Sequence, residues 1–211
     1  MTTIQLPEKR RRFLPFEGAL AVTLAMGIVI TVLDVLQPAE PLLSMLAFIP
    51  GLLSIVALFA SGVSLANLHL RFGRISLAGL LVLAATTVLL LPILGSSTGW
   101  SGWNWLSGLV LAPASGIAQE LYFRGSLLPA LEHTLHGKQG KALVLHALIF
   151  VGYHIRTFRS VSSLPVTILI AIVLFAAGCA WGWQVQKDRT IVWAMVQHSL
   201  FLMLMSLFAW G

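Results

Sequence analysis

The chain repeats one feature that a water-soluble fold cannot absorb: apolar runs of about twenty residues that return along the whole sequence with little charge inside them. A bilayer core about 30 Å thick is spanned by roughly 20 helical residues. Runs of that kind occupy approximately 17–36, 42–64, 76–95, 105–131, 141–155, 164–184 and 190–210. Only 9% of the residues are charged and 58% are hydrophobic, whereas a soluble domain carries about 25% charge. The expected fold class is therefore all-α, a polytopic transmembrane bundle of about seven to eight helices. The fourth run is long and the fifth short. The stretch 120–145 is accordingly expected to kink or to carry an interfacial helix, with Pro129 as the breaker.

No internal repeat, long linker or low-complexity tail divides the sequence, so residues 1–211 read as a single integral membrane domain. A net charge of +6 could suit nucleic acid, but Lys and Arg at the ends of membrane spans are placed there by topology. The expected partners are membrane lipids and a peptide or membrane-protein substrate, with no nucleic acid; the oligomeric state stays open. Lys9, Arg10, Arg11 and Arg12 precede the first run, which predicts a cytoplasmic N-terminus in an inner or plasma membrane. Arg71 and Arg74, Lys138 and Lys141, and Lys187 and Arg189 then fall on one side, and Arg156 and Arg159 on the other. The first run is long and lacks a small-x-small cleavage site, so it reads as an uncleaved helix. Trp100, Trp103 and Trp105 in "GSSTGWSGWNW", 95–105, read as interfacial anchors of an exposed loop. A lone Cys179 provides neither a disulfide framework nor a zinc-ribbon spacing.

Ionisable residues inside spans are costly and by default mark a site with partners. Between Pro41 and Leu131 the only acidic residue is Glu120. Arg124 follows it by four residues, which puts both side chains on one helix face. The pair could serve a polar cavity, or it could simply tie helices together. Gln119 lies about 100° around the helix from Glu120 and faces a different neighbour. His154 and His198 stand on later spans. From the cytoplasmic ends, Gln119, His154 and His198 lie about 18, 20 and 12 Å deep, so the three can meet in one cavity. His146 is placed nearer the cytoplasmic edge, and His69, His133 and His136 in loops; all four are expected to be solvated or interfacial.

These residues resemble the motifs of the CAAX prenyl protease and bacteriocin-processing family, CPBP or Abi. "QELYFRG" resembles its E-E-x-x-x-R signature, "FVGYH" at Phe150–His154 matches F-x-x-x-H, and His198 falls where H-x-x-x-N/D begins. "FAAGCAWGWQVQKDRTIVWAMVQH" also resembles the family's small-residue helix, basic turn and final helix. The resemblance covers 105–205, the expected catalytic core. It implies a glutamic-type intramembrane endopeptidase that activates water without a covalent intermediate or a cofactor. It further implies that the first Glu of the pair is the general base, that the Arg organises the site, and that the two His position water and stabilise the oxyanion. On this chain those positions are Gln119, Glu120, Arg124, His154 and His198.

Two letters depart from the pattern. Gln119 keeps the shape of Glu but cannot take up a proton. A carboxylate already bonded to a guanidinium is a weaker base than an unpaired one, so Glu120 is a poor replacement. Leu202 stands where Asn or Asp is expected, which leaves His198 without its helical partner unless Gln197 or Ser199 substitutes. Three explanations of Gln119 stay open: a deliberate change that traps an active enzyme, a natural pseudo-protease, or an enzyme whose base is Glu120. A metallopeptidase with Glu120, His154 and His198 as a zinc set is a further alternative, although H-E-x-x-H is absent and Arg124 would oppose a cation. Rhomboid-type and aspartyl-type sites fit less well, since "PASG" lacks the G-x-S-G of rhomboids and the only aspartates, Asp34 and Asp188, lie near span ends. A catalytically silent membrane protein that binds a peptide or confers bacteriocin immunity is the non-enzymatic alternative.

Overall fold

The computed structural model describes residues 13–36, 45–95, 99–100, 106–160 and 163–209. The basic cluster Lys9–Arg12 and the anchors Trp103 and Trp105 lie outside them. Apart from turns and loops, the described chain is helical except for one two-residue antiparallel pair, Gly99–Trp100 with Phe208–Ala209. Its helices are α1 (Phe16–Leu36), α2 (Phe48–Ala60), α3 (Leu77–Gly95), α4 (Ala112–Tyr122), α5 (Leu128–Thr134), α6 (Gln139–Tyr153), α7 (Ile155–Arg159), α8 (Leu164–Asp188) and α9 (Val192–Leu207). Two of them, α1 and α8, are long and apolar enough to cross a membrane by length and composition.

The long fourth run is one uninterrupted helical path from Leu106 to Thr134, and Pro129 does not break it. The helix instead widens to π geometry at Leu106–Leu111 and again at Phe123–Leu127. Each widened segment precedes a proline at the start of the next α segment, Pro113 in α4 and Pro129 in α5. A proline inside an α-helix lacks the N–H and presses its ring on the carbonyl four residues back. The π turn relieves this, and the Leu128 N–H bonds the Phe123 carbonyl five residues back. The path ends at Thr134, where His136 and Gly137 turn the chain with positive φ.

Small residues set how closely the helices approach. A Cβ on Gly116 would lie 2.9 Å from the Ser199 backbone nitrogen, and one on Gly51 would lie 2.9 Å from Leu121 Cβ. These glycines let α9 and α2 close on α4. Gly178 in α8 similarly meets Ala147 in α6. The Tyr122 hydroxyl donates to the Thr23 carbonyl over 3.0 Å and ties α1 to the same central helix.

One end of the bundle is fastened by the loop 69–76. Ile191 N–H donates to the His69 carbonyl, Arg71 Nε to the Arg189 carbonyl, and Trp193 Nε1 to the Gly73 carbonyl. Asp188 accepts the Ser76 N–H ahead of α3, and Gln186 donates to Glu132 at 2.8 Å. The segments carrying Arg71, Lys138 and Arg189 are thus at one end. Arg156 lies near Asp34 at the far end of α1, where its charge acts on that carboxyl.

The interior holds buried charges beside an apolar core, and much of the outer surface is apolar as well. Glu120 and Arg124 are 0% exposed, while Ile28 is 68% and Leu169 60% exposed. Exposed apolar side chains recur along α1, α8 and the described side chains of α3, Leu77 to Val88, and contiguous apolar surface of this kind marks an interaction or membrane-facing surface.

Candidate active site

Glu120, Arg124 and His198 meet in the buried interior. Glu120 and Arg124 are brought together by the helical turn between them, across the start of the π segment, and Arg124 Nη1 donates to Glu120 Oε1 over 2.7 Å. His198 comes from α9, held close by the Gly116 approach, and its Nδ1 lies 2.8 Å from the same oxygen. A carboxylate accepts, so Nδ1 carries the proton and Nε2 is the ring's free nitrogen. Glu120 therefore supplies the partner that Leu202 denies to His198. Neither suggested substitute does so: Ser199 Oγ donates to the Pro113 carbonyl, and the Gln197 side chain is buried without a protein partner.

Aromatic rings enclose the ionic group. Arg124 Cζ lies 4.5 Å from the Phe150 centroid and 5.4 Å from that of Trp181, and the Trp181 ring stacks on His198 at 4.9 Å. Cation–π attraction of this kind strengthens when water is excluded. No motif letter marks Trp181; the first Trp of the small-residue stretch "GCAWGW" is the one signal in the sequence for it.

His154 enters from the end of α6, where the helix closes into the short α7. Its Nδ1 lies 2.8 Å from the Phe150 carbonyl, which again assigns the proton to Nδ1 and leaves Nε2 free. The ring meets Phe150 edge-on at 4.7 Å, and Phe150 in turn faces His198 at 6.4 Å. Both imidazoles thus border the same phenyl ring. Gln119 is buried beside Glu120, and its Nε2 donates to Ser115 Oγ over 3.2 Å. Its carbonyl oxygen is buried without a protein partner. Gln119 and Glu120 do face different neighbours, as their 100° separation predicts.

Two histidines expected at the surface are buried. His146 is 0% exposed because it shares with Ala142 and Phe150 the face of α6 that packs against α8, and His154 follows on the same side at the helix end. His69 is 0% exposed because the turn after α8 folds over its loop, and its Nε2 lies 3.8 Å from Glu132. The i, i+4, i+8 spacing was a legible signal for His146; none existed for His69. His133 is half-buried against Phe16, and His136 is exposed. Among the described residues no group of three His, Cys, Asp or Glu side chains is arranged to hold a metal ion.

A family model described as "Rce1-like: Type II CAAX prenyl endopeptidase Rce1-like" matches residues 100–204, the segment that contributes all five of these positions. Neither the curated proteins nor the solved structures yield a match to the chain.

Proposed function

We propose, from the premise that the chain belongs through residues 100–204 to the Rce1-like family of type II CAAX prenyl endopeptidases, that it is an intramembrane peptidase whose base position is silenced by Gln119. It lies in a cytoplasmic membrane as one polytopic domain with the N-terminus on the cytoplasmic side. The exposed apolar belts and buried charges support that placement. Its partners are lipids and a peptide or membrane-protein substrate.

The observation that carries the reading is the engagement of Glu120. Its Oε1 already accepts from Arg124 and faces His198 Nδ1. That argues against Glu120 as the base and leaves the task to residue 119. With Glu at that position, the carboxylate takes a proton from water, the water oxygen attacks the scissile carbonyl carbon, and the proton passes to the leaving amine as the C–N bond breaks. The unprotonated Nε2 of His154 and of His198 can each accept a hydrogen bond from the water, and an imidazole that has taken up a proton at Nε2 donates to the developing oxyanion. Gln119 can position water but cannot accept its proton.

Gln119→Glu tests this directly. A general base contributes about 10²–10⁴-fold, so peptide hydrolysis in liposomes should rise by that order over the parent, and His154→Ala in the same background should abolish the gain. No gain over the His154→Ala control would overturn the proposal. The buried amide of Gln119 favours one second reading, a silent member that binds a peptide. Capture of substrate without cleavage by the Gln119→Glu variant would select it.

A further inference from the structure

Arg124 makes one hydrogen bond with five donors. Nη1 serves Glu120, whereas Nε and Nη2 are buried without a protein partner. A guanidinium edge left dry and unbonded is among the most costly groups a protein interior can hold. Other unpartnered polar atoms lie around it. Trp181 Nε1 is buried and unbonded on a ring 5.4 Å from Arg124 Cζ. His146 is 0% exposed with both ring nitrogens unbonded.

His146 and Arg124 border the same ring. The Phe123 centroid lies 6.0 Å from Arg124 Cζ and 6.2 Å from the His146 centroid, and the charge of Arg124 acts on His146. Gly182 of α8 also stands against the imidazole: a Cβ there would lie in ordinary contact with His146 Nδ1, at 3.5 Å, while the close approach the glycine permits is that of Leu143 Cδ1, at 2.5 Å. A packing role alone does not account for this choice. Leu or Phe would fill the space without two buried nitrogens to satisfy.

We propose that His146 is a positioning residue of the site, accepting a hydrogen bond from the free edge of Arg124 through one bridging water. Buried waters of this kind make about three hydrogen bonds to groups that lack protein partners. The Arg124 edge, a His146 nitrogen and Trp181 Nε1 are three such groups. The connection then runs from His146 through water to Arg124, on to Glu120 and so to Nδ1 of His198. Its consequence for hydrolysis rests on the peptidase reading above; the hydrogen bond itself does not.

Two measurements test it. In the Gln119→Glu background, His146→Leu should lower kcat by about tenfold or more, as small misplacements of catalytic groups do, with KM unchanged. His146→Gln, which can still accept, should recover most of the loss. In the parent chain, labelled with nitrogen-15, the Arg124 Nε–H resonance, identified by its loss in Arg124→Lys, should move in His146→Leu and return toward its original position in His146→Gln. An unmoved resonance overturns the proposal, whatever the activity. If the leucine variant does not fold, the parent decides: an unprotonated His146 nitrogen resonating as a free, unbonded imidazole overturns it, and a hydrogen-bonded one supports it. A moved resonance with no hydrolysis by Gln119→Glu would leave the hydrogen bond standing and reject the peptidase reading.

Discussion

At the scale of single residues, Glu120 carries two partners on one oxygen, and its other oxygen is buried without a protein partner. Removing one side of a buried ion pair leaves the other charge uncompensated, at a cost of about 3–5 kcal/mol. Arg124→Leu should therefore lower unfolding stability in detergent by that order. The double variant Glu120→Leu with Arg124→Leu should recover part of the loss, because no lone charge remains; denaturant titration of the four members of the cycle measures the coupling. The Glu120 and Arg124 contact was legible because four residues of helix place two side chains together whatever the fold. The contact from Glu120 to His198 was not, since it spans 78 residues and depends on α9 docking at a glycine. His146 lay between these cases: its spacing to Phe150 and His154 was readable, but its depth depended on the packing of α6 against α8.

At the scale of helices, Gly116 sets the distance between the segment bearing Glu120 and the segment bearing His198. It stands one turn before Glu120 and touches Ser199, the neighbour of His198. Gly116→Val forces a branched side chain against the Ser199 backbone, and overpacking of this kind costs about 1–3 kcal/mol. The variant should also lose the activity gained through Gln119→Glu, because the Glu120 to His198 bond cannot survive separation of α4 and α9. Parallel melting and hydrolysis measurements check both; a variant with parent stability and full activity would refute the assignment. Apolar run lengths located the helices to within a few residues, because length and hydropathy are local properties. They misjudged Pro129, because a π turn that accommodates a proline leaves no mark in hydropathy.

At the scale of the whole molecule, the basic residues divide between two ends. Arg71 is bonded to the turn after α8, and Gln186 in α8 reaches Glu132 and the Gln139 carbonyl just beyond Lys138. Arg159 ends the short helix that follows His154, beyond the opposite end of α6. If the bundle lies in a bilayer as proposed, a thiol placed at Arg71 or Lys138 and one placed at Arg159 must be reached from opposite faces. The chain has one native cysteine, Cys179, so Cys179→Ser gives a clean background. Right-side-out and inverted vesicles treated with a membrane-impermeant maleimide should then label Arg71→Cys and Lys138→Cys together and Arg159→Cys only in the opposite preparation. The positive-inside rule assigns the first pair to the cytoplasm, since the basic residues are more numerous there. Labelling of all three from one face would refute the spanning arrangement. Reversed labelling would keep the span and reject the cytoplasmic N-terminus, because the fold fixes which ends lie together while the charge bias alone decides which end faces the cell interior.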